Sequence, residues 1–161
     1  MTLASTTPTR FRRADLLGAW RLLSVEMLRP DGEVSYEWLG KRPAGTVIYD
    51  ASGVMSAQIM RDPRPAFAPG HYCCLPGRTA TVEELADGFQ GYYAYFGTYE
   101  LDEVRGIVVH NITASLWPQE VGIRYERSVA LVGDSLVLLS STFEIEGEQR
   151  QNRLTWERIK G

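Results

Sequence analysis

The sequence predicts an all-β domain: a closed antiparallel up-and-down β-barrel with one short capping helix and a long proline-rich lid loop. Three observations carry this expectation. Apolar and polar residues alternate with a period of two in about nine short segments. Turn signals built from Gly, Asp and Pro separate those segments at close spacing. A single stretch shows the period of an amphipathic helix. A chain of 161 residues suits one domain and is long enough to bury a core.

Residues 1–13 read as a disordered tail, and residues 14–161 as the barrel domain. Ala14, Asp15, Leu16 and Leu17 form a short turn that plugs one end. A long strand over 19–29 ends at Pro30, Asp31 and Gly32, where proline fixes φ and glycine supplies a positive φ. A second strand covers 33–38, and strands over 45–49 and 54–61 flank the turn Asp50, Ala51, Ser52, Gly53. Residues 62–79 contain Pro63, Pro65, Pro69 and Pro76, too proline-rich for a simple connection, and read as the lid. Thr81 and Glu84 form a capping box for a helix over 82–93. Val82, Leu85, Phe89, Tyr92 and Phe96 fall on one stripe, and Gly97 supplies the stop. A meander follows, with strands over 98–101, 107–116, 118–121, 123–131, 136–144 and 150–159. In a closed meander the first and last strands pair, which sets Arg158 on the indole of Trp20.

Composition removes several function classes. The chain has 17 Lys and Arg against 20 Asp and Glu, a net charge of −3, with no basic face, so no nucleic-acid partner is expected. No apolar run approaches the roughly 20 residues of a membrane span, and the polar start lacks a leader's apolar core. Cys73 and Cys74 are adjacent, a spacing that strains a disulfide, so a reducing cytoplasm is expected. No phosphate-binding glycine loop, zinc pattern or nucleophile elbow is present, and His71, Tyr72, Cys73 and Cys74 lack further nearby ligands. Neither a metal nor a cofactor is expected.

Register in the second half points to a polar interior. Along 107–116 the more apolar set is Val108, His110, Ile112, Ala114 and Leu116, which reads as inward. A tight hairpin centred between Gln119 and Glu120 sets Ile112 opposite Arg127 and Ala114 opposite Tyr125, so both partners also look inward. The next hairpin sets Arg127 opposite Ser140 and Tyr125 opposite Thr142. The middle of this wall is then polar. Arg127 keeps its proton, so it faces either an internal carboxylate, Glu26 or Glu144, or a ligand. His110 is either a satisfied core histidine or an acid/base group beside Arg127. His110, Arg127 and Tyr125 are the candidate catalytic residues. Trp38, Tyr49, Met55, Gln58, Tyr92, Tyr95, Ser140 and Thr142 are candidate ligand contacts, although both faces of the early strands are mixed.

Gly18-Ala19-Trp20 at the start of the first strand is a Gly-x-Trp signature and resembles the opening of lipocalins and related barrels. The wider pattern is similar to the bacterial and fungal lipocalin-like domain family. It includes Leu16 to Leu22, Met55 to Arg61, Gly91-Tyr92-Tyr93-Ala94-Tyr95-Phe96-Gly97, the stretch His110…Ser115-Leu116-Trp117-Pro118, and Leu154-Thr155-Trp156-Glu157-Arg158. This resemblance covers most of the chain and implies a small barrel, without a secretion signal, that handles small molecules. Members sit among proteins of secondary metabolism and share no single reaction. Two classes of function follow, with a small hydrophobic molecule as partner and a monomer or homodimer as the assembly. One is a cofactor-free cyclase or isomerase acting on a polyketide- or terpenoid-like substrate, which the polar interior favours. The other is a non-catalytic carrier or sequestering protein. A haem barrel with His110 as ligand is a distant third.

Overall fold

The computed structural model describes residues 11–36, 38–70 and 80–160. Its strands are β1 (Gly18–Leu28), β2 (Val34–Tyr36), β3 (Ala44–Tyr49), β4 (Val54–Met60), β5 (Tyr92–Asp102), β6 (Ile107–Ser115), β7 (Arg124–Val132), β8 (Ser135–Ser140), β9 (Phe143–Ile145) and β10 (Glu148–Arg158). Helix α1 (Arg13–Leu16) precedes them and α2 (Val82–Gln90) lies between β4 and β5. The order is β2-β1-β3-β4-β5-β6-β7-β8-β10-β9, and β1 also pairs with β10, so the sheet closes on itself. Eight strands make the barrel, and the short β2 and β9 flank it. Closure leaves the eight barrel strands without a free edge.

The closing seam has the expected partners. Trp20 pairs with Arg158, and the guanidinium carbon sits 4.1 Å from the indole centroid. Arg158 also donates to the carbonyls of Leu17 (2.8 Å) and Asp15 (2.5 Å), at the end of α1. A helix C-terminus exposes unpaired carbonyls, and a cation there satisfies them. Trp20 Nε1 donates to Leu16 O at 2.9 Å. Leu16, Trp20 and Leu136 are fully buried and form the barrel floor, with α1 as its plug.

Several expected boundaries move. Residues 11–13, expected in the tail, are packed: Phe11 lies against the core and the Arg13 N–H donates to Glu103 Oε1 at 3.0 Å. The capping box of Thr81 and Glu84 is present, with Glu84 N–H on Thr81 Oγ1 at 3.2 Å. The helix stops at Gln90, however, and Gly91 is its C-cap. Tyr92, Tyr93, Tyr95 and Phe96 belong to β5, where aromatic residues are favoured. The apparent stripe ran across a helix and a strand. Gly97 marks a shift in the β5–β6 register; a Cβ there would lie 1.9 Å from the Asn111 carbonyl oxygen, so only glycine fits. Residues 118–121 are not a strand, because Pro118 opens a 3-10 turn, Pro118–Glu120. The segment 136–144 divides into β8 and β9.

The described part of the proline-rich segment packs against α2. Arg64 donates to Gly88 O at 2.8 Å, and the Ala68 N–H donates to Glu84 Oε1 at 2.7 Å. Phe89 of α2 meets Trp117 with ring centroids 4.7 Å apart, next to the barrel mouth. His71, Tyr72, Cys73 and Cys74 lie outside the described residues. No helix among the described residues is long and apolar enough to cross a membrane.

Replacing Arg158 with Met keeps the stem and removes the stacked charge and two carbonyl partners. It is expected to lower stability by about 2 kcal/mol. Urea unfolding followed by tryptophan fluorescence measures this, and an unchanged midpoint would show that the seam does not depend on Arg158.

Candidate functional site

Strand alternation turns one face of each barrel strand toward a cavity of about 600 Å³. Val25, Val47, Ala57, Ile59, Leu138 and Leu154 supply much of its apolar wall. Tyr95, His110, Tyr125 and Arg127 supply a polar sector. Trp38, Tyr93, Trp117 and Glu120 are also among the lining residues.

Arg127 faces the cavity from β7, opposite Val108 on β6 and Ser140 on β8. The β7–β8 register is as expected. The β6–β7 register is displaced by four residues, because Val108 rather than Ile112 faces Arg127. The 3-10 turn lengthens the loop that was expected to be tight. An even displacement preserves the face of every side chain, so Tyr125 and Arg127 still point inward. Tyr125 now lies opposite His110, not Ala114, and the β7–β8 ladder ends before Thr142.

No carboxylate among the described residues pairs with Arg127. Glu26, one expected partner, accepts from Arg153 Nε at 2.8 Å, and Glu144 is exposed on β9. Arg127 instead sits 4.9 Å from the ring centroid of Tyr125 on its own strand. Neither of the internal ion pairs expected from the sequence, with Glu26 or with Glu144, is formed.

His110 is 1% exposed. Both ring nitrogens are engaged: the Tyr49 hydroxyl lies 2.8 Å from Nε2 and the Tyr95 hydroxyl 3.0 Å from Nδ1. Burial, and then the charge of Arg127, push the imidazole down to about 3, so it is neutral at physiological pH. Burial holds Tyr49 and Tyr95 above the usual phenol range, with Arg127 opposing it in both. Tyr125 is pushed up to about 12 by burial and by hydrogen bonding to Glu120. Glu120, on the 3-10 turn, accepts from Tyr93 (2.8 Å) and Ser115 (2.7 Å). The Ser140 hydroxyl donates to the Ser141 carbonyl at 2.7 Å and accepts from the Asn152 N–H at 2.9 Å. The bond from Asn152 ties the end of β8 to β10.

Of the residues singled out from sequence, His110, Arg127, Tyr125, Trp38, Tyr95, Ser140 and Thr142 line the cavity. Four do not. Tyr49 stands behind His110, and Met55 is buried core away from the lining. Gln58 points outward, because Ala57 and Ile59 take the inner face of β4, and it bonds Ser56 Oγ at 3.3 Å. Tyr92 lies outside the cavity lining with Arg64 over its ring at 5.2 Å, since it begins a strand rather than ending a helix. Sequence reasoning missed Tyr93, Glu120 and Trp156 as lining residues. The period-two spacing of Tyr93, Tyr95 and Tyr99 was the available signal, hidden by the helical assignment. Among the described residues no group of three or more His, Cys, Asp and Glu is placed to hold a metal ion.

A histidine neutral in the fold costs stability as pH falls. The unfolded chain takes a proton below about 6.5, while folded His110 takes one only near 3. Between those values stability is expected to fall by about 1.4 kcal/mol per pH unit. Urea unfolding at about pH 7 and about pH 5.5 should show this loss in the wild type and much less of it in His110→Gln. His71, the only other histidine, is common to both proteins. Equal losses in the two would contradict a neutral buried imidazole.

The lipocalin-like domain family matches residues 17–159 of this chain. A 4'-hydroxy-3'-methoxypropiophenone carrier protein of Aspergillus oryzae is 30% identical over 112 residues, covering 65% of this chain and 96% of that protein. With a closed barrel, an internal cavity and this match along nearly its whole length, the chain belongs to the lipocalin-like domain family.

Proposed function

We propose that this chain is a carrier that encloses a small, largely apolar, oxygen-bearing aromatic molecule and releases it unchanged. The observation that supports this most is a roughly 600 Å³ cavity with apolar walls and one sector of hydrogen-bond donors around Arg127. Its size lies within the range of small-molecule sites, and a few polar groups on an apolar wall fix ligand orientation. The similar carrier from Aspergillus oryzae, whose name gives an aryl ketone as cargo, supports the same class of ligand.

His110 is better suited to orienting than to moving protons. A general base works best with a pKa near the working pH, and both ring nitrogens already bond to tyrosines. Arg127, with Tyr125 beside it, holds the ligand oxygen. The cyclase or isomerase reading keeps one supporting observation: Arg127 and Tyr95 could also stabilise an enolate as it forms.

Titration of the protein with 4'-hydroxy-3'-methoxypropiophenone, followed by extraction and chromatography, separates the two readings. One-to-one binding is expected, with the ketone recovered unchanged. Arg127→Met should weaken binding at least about tenfold. A product formed faster than in buffer would replace the carrier with an enzyme.

A further inference from the structure

The inner polar sector offers donors in excess of acceptors. Tyr49 is buried, and the only polar partner of its hydroxyl among the described residues is His110 Nε2. A neutral imidazole has one N–H and one bare nitrogen. If Nε2 carried the hydrogen, the Tyr49 hydroxyl would have to accept it, and its own hydrogen would be buried without an acceptor. Tyr49 therefore donates to Nε2, and the imidazole hydrogen sits on Nδ1. Nδ1–H then donates to the Tyr95 oxygen at 3.0 Å. Arg127 lines the same cavity, and its positive charge acts on that phenol, opposing the effect of burial. With its oxygen accepting from Nδ1–H and with no acceptor for its own hydrogen among the described residues, Tyr95 turns that hydrogen into the cavity it lines.

The chain of bonds has one direction, from Tyr49 through His110 and Tyr95 to the cavity, which Arg127 also lines with no ion-pair partner among the described residues. A further lining residue, Trp156, is 2% exposed, and its Nε1 is a buried donor with no partner among the described residues. The nearby carboxylate, Glu120, is occupied by Tyr93 and Ser115 and forms no ion pair with Arg127. A ligand that fits this sector brings acceptors and one negative charge.

We propose that the cavity binds its ligand as an oxyanion, the ionised oxygen of a phenol or enol conjugated to an aromatic or carbonyl system, held between the Arg127 guanidinium and the Tyr95 hydroxyl. This rests on the carrier reading and specifies its ligand class. On binding, the ligand O–H bond breaks, its electron pair stays on oxygen and its proton leaves to solvent. No protein group takes the proton, because both ring nitrogens of His110 are already bonded.

The test uses the whole protein with two probes, 4'-hydroxy-3'-methoxypropiophenone and its 4'-methyl ether, which cannot ionise. Calorimetry measures binding, and ultraviolet absorption distinguishes phenol from the red-shifted phenolate. At a pH about one unit below the free phenol's pKa, the bound phenol should show the phenolate spectrum. The ether should bind at least about tenfold more weakly. Arg127→Met and Tyr95→Phe should each shift the bound probe back toward the neutral spectrum. A wild-type complex that holds the neutral phenol, or binds the ether equally well, overturns the oxyanion proposal and leaves the carrier reading standing. A phenolate spectrum retained in both variants also overturns it. Failure of both probes to bind at millimolar concentration overturns the carrier reading together with it.

Discussion

A guanidinium faces the interior of a closed barrel, and no described carboxylate neutralises it. Arg127 cannot shed its proton, so its surroundings must adapt to a fixed charge. The neighbouring imidazole stays neutral, partly through that charge. The Tyr125 ring lies against the guanidinium, and the Tyr95 oxygen lies within its influence. The cavity beside it stays open and lined with apolar side chains. Removing a charge from water without a partner costs several kcal/mol, and partial exposure at the cavity relieves part of that cost in the empty protein. On the proposed carrier reading, a ligand oxygen in this sector would take over that role.

The arrangement depends on barrel closure and on register. Trp20, Arg158 and α1 seal the floor of the barrel. The β7–β8 ladder puts Arg127 beside Ser140, and the β6–β7 ladder puts Tyr125 beside His110. Tyr49 reaches His110 from β3 and Tyr95 reaches it from β5, so three strands far apart in sequence meet at one ring. A slip of one residue in β6 would turn His110 to solvent and leave both tyrosines without their partner.

The architecture was legible because alternation and turn residues report directly on a meander, and the Trp20–Arg158 contact follows from closure alone. The inward sense of His110, Tyr125 and Arg127 was legible for the same reason, and it survived an error of register because that error was even. The helix end was not legible. Tyr92 and Phe96 continue a helical spacing by coincidence, and pairing with β4 decides their conformation. The breadth of the β6–β7 loop was hidden in the 3-10 turn at Pro118. Tyr49 and Gln58 were ambiguous because β3 and β4 carry mixed residues on both faces. The Tyr49–His110–Tyr95 chain joins residues 61 and 15 positions apart, which no local pattern reports.

The most direct test of this account is the state of one ring. Nitrogen-15 NMR of histidine-labelled protein reports which nitrogen of His110 carries hydrogen and whether the ring titrates. The account predicts a neutral ring protonated at Nδ1 and bare at Nε2, unchanged from about pH 8 to about pH 4. A hydrogen on Nε2, or titration near the ordinary histidine value, would contradict it.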